Sequence, residues 1–389
     1  MTETTTGRDS NSGSGQGDQG DPYYTVGGAL NPSYYTTEGA FNGSGIALAS
    51  QSFSESLEGG TQGSLVMYFQ HWSGQIRWQQ LDSQGNWLGG DVSEVVAVDA
   101  KNATPLSAVS YSIGGRSQWH IFYIDRNNTL RQRSNSNTTN VWVDGPIGDL
   151  NLKVLDADQL GMQACWYGSD YGDTDYVHTP LPDAGPDSEF QNEVGMRMWF
   201  AKDNTTFSQY GWRAGDAQWT FDHDWTNLNG HAGVGCYSWG PGNVTYTMFV
   251  DLENTVRFYW KDTNTNLTNT TTHPINKWTE APLNIPGVWP STSLGYTNAF
   301  YAQMEDRSIH GFNITWNAEN STFIGADNFT VDGVPPIGGT HMSVTAIPNA
   351  SGGNTLMVFC QQNGSDITEH ARDLVAGQWS QVNIQIPQE

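Results

Sequence analysis

Positive charge is what this chain lacks most. It has 16 Lys and Arg against 40 Asp and Glu among 389 residues, a formal net charge of −24. Such a surface repels phosphate backbones and anionic headgroups, which argues against a nucleic-acid partner and against electrostatic attachment to a membrane. Charge of either sign is sparse, at 14% of residues, so solubility rests on Asn, Gln, Ser and Thr. No run of eighteen apolar residues exists, so no stretch reads as a membrane-spanning helix. No amphipathic helical period of useful length appears either. The three cysteines, Cys165, Cys236 and Cys360, leave at least one thiol unpaired in a monomer. Cys165 and Cys236 hold equivalent places in consecutive repeats, a separation read as too wide to bridge, so buried free thiols are expected. No Cys/His spacing matches a zinc site, and neither a metal nor a cofactor is expected. Residues 1–21 are polar and rich in Gly, Ser, Gln and Asp, and read as a flexible tail or stalk. These residues do not read as a secretory leader.

What the chain has is one pattern repeated six times from about residue 40 to its end. Each copy carries a small-residue apolar run and a second run with an aromatic centre. A polar turn, a third apolar stretch and, usually, a lone aromatic follow. The second runs start at Val66, His120, Arg197, Tyr246, Ala299 and Met357, which by subtraction lie 54, 77, 49, 53 and 58 residues apart. The lone aromatics keep step at Trp87, Trp142, Trp219, Trp278, Phe323 and Trp379. A period near fifty with about four short strands per copy predicts an all-β, six-bladed β-propeller of antiparallel blades. It forms one domain over 22–389, with repeats near 40–100, 101–155, 156–230, 231–288, 289–338 and 339–389. Small first strands suit a crowded central channel. Turns are expected at Ser73-Gly74, Asn127-Asn128, Asp203-Asn204, Glu253-Asn254, Asp306-Arg307 and Asn363-Gly364. The long 77-residue spacing reflects a Gly/Asp/Pro-rich insertion near 168–195, read as a surface loop.

Sequons are in excess. Asn-x-Ser/Thr occurs at Asn42, Asn102, Asn127, Asn137, Asn204, Asn243, Asn266, Asn269, Asn313, Asn320, Asn328, Asn349 and Asn363. Chance predicts roughly five or six from this composition. The expectation is an extracellular N-glycoprotein, secreted or the ectodomain of a membrane-anchored protein whose signal or tether lies upstream of residue 1.

Six such repeats, with Tyr68-Phe69-Gln70, Ile367-Thr368-Glu369 and Trp379 in place, resemble the fungal fucose-specific lectins of the Aleuria type over about residues 28–389. The resemblance implies sugar pockets between neighbouring blades. In each, an Arg on the second strand and a Glu ending the third bond the hydroxyls, and Tyr and Trp pack on the apolar edge. The two positions are twelve residues apart, and no copy keeps both residues. The third has Arg197 and Gln209, with Tyr210 next. The sixth has Glu369 opposite Met357, with Trp379 ten residues on. The second has His120 and Gln132. The first, fourth and fifth, with Val66/Trp78, Tyr246/Phe258 and Ala299/Gly311, have lost the polar pair. The third copy is therefore expected to hold the best pocket, from Arg197, Gln209, Tyr210 and Trp219 with an aromatic of the next blade. Arg197 reads equally well as a solvated strand residue or half of a structural ion pair.

Catalysis is not expected. A glycosidase needs two converging carboxyls, and a sialidase an Arg cluster. Asp170–Thr174 resembles a fragment of the sialidase Asp-box but stands alone in the insertion. Asp222-His223-Asp224 reads as a hydrogen-bonded loop corner rather than a metal or acid–base site. The sequence thus points to a lectin for glycans, fucosylated ones first. The alternative is a propeller that has lost sugar binding and serves as an extracellular scaffold. A lectin with few sites gains avidity by pairing, which makes a homodimer the expected assembly.

Overall fold

The computed structural model describes residues 35–50, 65–82, 84–113, 116–167, 195–213, 216–238, 244–262, 267–297, 299–325, 328–348, 354–374 and 377–389. The tail over 1–21 and the stretch 168–194, with Asp170–Thr174, lie outside them.

Six antiparallel sheets follow one another along the chain without exchanging strands. Blade one is Ile46–Ser50, Leu65–Gln70, Ile76–Leu81 and Trp87–Gly89, with Val95–Ala97 also pairing its third strand. Blade two is Ser107–Ile113, Arg116–Ile124, Leu130–Ser136 and Val143–Asp144. Blade three is Met162–Tyr167, Gly195–Asp203, Thr206–Arg213 and Thr220–Thr226. Blade four is Gly235–Ser238, Val244–Val250, Val256–Asp262 and Thr279–Ile285. Blade five is Leu294–Tyr296, Ala299–Gln303, Ile309–Thr315 and Thr322–Phe323, with Phe329–Thr330 pairing its third strand. Blade six is Ser343–Pro348, Asn354–Cys360, Thr368–Asp373 and Trp379–Asn383.

The first strands touch in sequence, and that of blade six returns to that of blade one, so the ring closes as a six-bladed propeller. They enclose a central channel of about 540 Å³. Small residues are needed there. A side chain at Gly295 would come within 2.8 Å of Val344 on the neighbouring strand. The same convergence corrects the reading of the cysteines. Cys165 and Cys236 lie in adjacent inner strands with Cα atoms 6.1 Å apart and form a disulfide. Inner strands of neighbouring blades crowd the axis and touch, which brings equivalent positions within bridging distance. The bridge spans 71 residues, and confining a loop of that size in the unfolded chain is worth about 4 kcal/mol in the chain-entropy account. Cys360 is a buried free thiol.

Turns between second and third strands follow the sequence. Gly74, Asn128, Asn254, Arg307 and Gly364 all take positive φ, between 52° and 93°, the left-handed conformation that Gly and Asn adopt most easily. At two of these turns an aspartate organises the bend. Asp125 accepts from the Asn127 and Thr129 amides and pairs with Arg131 at 2.7 Å, and Asp251 does the same for Glu253, Thr255 and Arg257. Three glutamines at or just past the ends of second strands clasp the next blade. Gln70, Gln303 and Gln361 donate through Nε2 to the carbonyls of Lys101, Ile337 and Phe41 at 2.9, 3.1 and 3.1 Å.

The lone aromatics sit at or just before the fourth strands, and they pack across blade boundaries. Trp87 meets Phe359, Trp142 meets Tyr68, Trp219 meets Phe122 and Trp278 meets Trp199, all edge to face at 5.7–6.5 Å. Each pair joins a second strand to the next blade's outer strand, so the aromatics act as wedges between blades. Phe323 departs from this pattern, being 37% exposed. At its boundary Trp316 packs on Tyr246 instead, at 4.7 Å.

Among the sequons, Asn127, Asn137, Asn204, Asn269, Asn320, Asn328 and Asn363 are exposed, and Asn102 and Asn313 half-exposed. Asn42 is 3% exposed and packed against Gly364, which corrects its reading as an acceptor. Asn243, Asn266 and Asn349 lie outside the described residues.

Candidate functional site

The paired second- and third-strand positions face the blade boundaries, so six comparable inter-blade faces can be ranked by what fills them. In blade three, Arg197 stands two residues before Trp199, on the same face of the second strand, and Trp199 lies opposite Gln209 on the third. Gln209 Oε1 accepts from Trp199 Nε1 at 3.0 Å and Trp225 Nε1 at 2.9 Å, while its Nε2 donates to Asp222 Oδ2 at 2.6 Å. Across the boundary, Trp278 of blade four presents its ring to the Arg197 guanidinium, 5.5 Å from the centroid. Asp222 gathers charge. The His223 imidazole, 3.9 Å away, comes first in holding the Asp222 carboxyl below the usual range. Burial opposes this, and the cations Lys261 and Arg197 add to it. The Asp222 side chain is 46% exposed, whereas Arg197 is 3% and Gln209 0% exposed. The result is a buried cation and amide beneath a half-open carboxylate, with a tryptophan as side wall. Such a group can accept hydroxyl hydrogens and cover a C–H face.

Two expected members of this pocket are elsewhere. Tyr210 follows Gln209 directly in the strand and so points to the opposite face, where it stacks on Phe200 at 5.8 Å and meets Phe221. Trp219 serves the preceding blade boundary. Trp278 supplies the aromatic expected from the next blade, and the residues missed by sequence reasoning are Asp222, with Trp199 and Trp225 behind it. Asp222-His223-Asp224, expected as a loop corner, lies in the fourth strand, Thr220–Thr226, where a register shift at Gln209 brings Asp222 to the Gln209 amide and leaves the His223 ring on Trp225 at 4.7 Å. Asp224 instead accepts from Ser208 at 2.6 Å and Lys202 at 3.0 Å.

Between blades two and three the same positions build a closed network. Gln132 Oε1 accepts from Trp219 Nε1 at 3.1 Å and the Ile147 amide at 3.3 Å, and its Nε2 donates to His120 Nδ1 at 2.9 Å. Burial lowers the His120 pKa to about 4, so the imidazole is neutral and Nδ1 is free to accept. Trp212 stacks on Trp219 at 6.2 Å and both are buried. Aromatic rings of the chain itself fill this face.

Between blades six and one, Glu369 is half-buried and accepts from Trp87 Nε1 at 2.9 Å. Burial raises its pKa, against the lowering effect of that bond. Met357, at the arginine position, is buried. Trp379, expected beside Glu369, lies instead at the boundary between blades five and six. The boundary between blades four and five is capped, since the Ala318 amide donates to the Tyr246 hydroxyl at 2.8 Å and Trp316 packs on Phe258. His273 joins Glu319 and Asp262 there, at 2.7 and 3.0 Å. Among the described residues no cluster of three or more His, Cys, Asp or Glu could hold a metal.

No protein-family model matches the chain. A fucose-specific lectin of Aleuria aurantia is 24% identical over 201 residues, 51% of this chain and 55% of that protein, so the match spans about half of its length. An Aleuria aurantia lectin variant in complex with α-methyl-L-fucoside superposes with a TM-score of 0.65 at 17% identity, covering 90% of this chain and 97% of its own. A lectin from Burkholderia pseudomallei superposes with a TM-score of 0.54 at 12% identity, covering 87% and 98%. At these identities the structural likeness establishes the six-bladed propeller. The sequence match is weak and the structural match to the Aleuria lectin strong.

Proposed function

We propose that this chain is a carbohydrate-binding protein without catalytic activity, which recognises glycans, fucosylated ones first, at the boundary between blades three and four. The observation that carries the reading is the convergence of Arg197, Gln209 and Asp222 with Trp278 across that boundary. The Aleuria-type lectin pairs Arg with Glu. Here the third strand offers a neutral amide, and a carboxylate from the fourth strand restores the acceptor. The half-buried Glu369 beside Trp87 is the second candidate. The relatives named as fucose-specific or bound to a fucoside support the ligand class. We further place the protein outside the cell as an N-glycoprotein, with the exposed sequons as acceptors. Glycosidase treatment should then reduce its mass.

A glycan array of the intact chain beside Arg197→Ala and Asp222→Asn tests the reading. Binding to fucosylated glycans that falls at least tenfold in both variants is the expected result. Binding that ignores both moves the site to Glu369. Silence across the array favours a second reading, an interaction scaffold. The burial of Arg197 and the engagement of the Gln209 amide with three side chains support that alternative.

A further inference from the structure

Blade five has lost its own polar pair, yet its boundary with blade six carries a cation from the opposite wall. Ala299 and Gly311 occupy the two positions, and the space before Gly311 is taken by the Phe329 ring, with which any side chain there would collide. Phe329 is placed by the extra strand Phe329–Thr330, which pairs opposite Gly311. On the facing wall, Arg372 lies directly across from Trp379 in blade six. Its guanidinium carbon is 5.4 Å from the Phe329 centroid and 5.8 Å from that of Trp379. The two rings stand 6.1 Å apart at 43°, and Tyr301 meets Phe329 edge-on at 5.9 Å. Arg372, Phe329 and Trp379 are all half-buried, so the group opens to solvent at one edge.

Five other arginines are held by acceptors. Arg131 and Arg257 pair with aspartates, Arg133 with Asp144, Arg126 with a carbonyl, and Arg77 with Gln75 and two carbonyls. Arg372 differs. Its Nε is buried without an acceptor among the described residues, and its described contacts are the two aromatic faces. In a chain of net charge −24, Arg372 forms no ion pair with a carboxylate among the described residues. Aromatic faces hold a cation in place without satisfying its donors. A planar guanidinium fork matches carboxylate or sulfate oxygens two at a time. A cavity of about 260 Å³ lies on the same boundary, lined by Thr330, Asp332, Gly333 and His370. His370 shares a face of its strand with Arg372, about 7 Å along it.

We propose that the boundary between blades five and six binds an anionic sugar, a pyranoside bearing a carboxylate or a sulfate. Its charged oxygens pair with Arg372, and its ring lies against Trp379 and Phe329. The inference rests on the reading of inter-blade faces as glycan sites, but the charge comes from the facing blade and selects a different substrate class from the Arg197 face.

Calorimetric titration of the intact chain with methyl galacturonide, methyl galactoside 6-sulfate and neutral methyl galactoside tests it. At least one charged glycoside should bind ten times tighter than the neutral one, and which of them does so separates carboxylate from sulfate recognition. Arg372→Gln should erase that preference and Arg372→Lys keep part of it, both with unchanged circular dichroism. Equal binding of charged and neutral glycosides, a preference that survives Arg372→Gln, or free acetate and sulfate binding as tightly as the glycosides would each overturn the proposal. A chain that binds fucosylated glycans through Arg197 but neither charged pyranoside overturns this inference alone. Silence toward every glycan overturns both.

Discussion

Gln132 and Gln209 occupy the same place in neighbouring blades, yet they satisfy different tryptophans. Gln132 reaches across the boundary and takes the indole hydrogen of Trp219 in the next blade. Gln209 spends its oxygen on two indoles of its own blade, Trp199 and Trp225. The Nε1 of Trp278, which corresponds to Trp219, is left buried without an acceptor among the described residues. One amide thus seals a boundary, and the other leaves an unfilled donor beside Arg197. A ligand oxygen reaching Trp278 Nε1 would complete blade three as Gln132 already completes blade two. On the proposed reading, sealing and binding are alternative uses of one strand position, decided by where the amide turns.

Substitution of the two glutamines breaks this comparison most severely. Gln209→Leu strips the acceptor from two buried indoles and the donor from Asp222, which leaves up to three polar groups unmet. Urea unfolding should show a loss of about 3–5 kcal/mol, at roughly 1–3 kcal/mol for each orphaned group. Gln132→Leu removes the acceptor of Trp219 and of the buried Ile147 amide while His120 keeps its bond from Ser134 at 3.0 Å, so a somewhat smaller loss of about 2–4 kcal/mol is expected. Equal losses would mean that the two networks are energetically alike and the structural contrast has no consequence.

The fold was legible because its signals are local and repeat. Aromatic-centred second strands, turn residues at fixed offsets and small first strands recur in every copy, and each needs only its own blade. The site was less legible because it is made between blades. Trp219 and Trp379 lie in the same repeats as Gln209 and Glu369, and nothing in sequence order says that each wedges against the blade before it. The placement of Tyr210 was within reach, since consecutive strand residues face opposite ways. Asp222 was harder. A register shift between the third and fourth strands at Gln209 and Tyr210 sets which residue of Asp222-His223-Asp224 faces the pocket. The disulfide needed the axial convergence of the inner strands, which no single repeat encodes.

A finer test compares the two indoles directly. Trp219→Phe removes a hydrogen bond and leaves a buried Gln132 oxygen with one partner fewer, whereas Trp278→Phe deletes a donor that has no acceptor among the described residues. Loss of an unsatisfied donor is nearly neutral, and the ring volume lost is the same at both sites. Trp219→Phe should therefore cost about 1 kcal/mol more than Trp278→Phe in matched denaturant melts. A Gln132/Trp219 double-mutant cycle should show coupling on the order of 1 kcal/mol. If Trp278→Phe proves the costlier of the two, its Nε1 is satisfied in solution and the open-donor account of blade three fails.

Glu369 supplies the smallest effect and the sharpest sign. It accepts from Trp87 across a boundary as Gln132 does from Trp219, but it carries an ionisable group where Gln132 carries none. Burial raises its pKa above the ordinary 4.5, with the Trp87 bond acting in the opposite direction. The folded chain therefore holds this proton more tightly than the unfolded chain. Its contribution to stability is present at low pH and declines as pH rises from about 4.5 through the folded value. An aspartate such as Asp222, with its pKa lowered, behaves inversely and loses its contribution as pH falls. Glu369→Gln keeps an acceptor for Trp87 and removes the titration. The variant should match the parent near pH 4 and exceed it in stability at neutral pH, and the difference should grow only within that window. A difference that shrinks as pH rises would show that Glu369 is stabilised as the carboxylate. Its boundary would then hold an unrecognised donor, and the face between blades six and one would become the stronger sugar site.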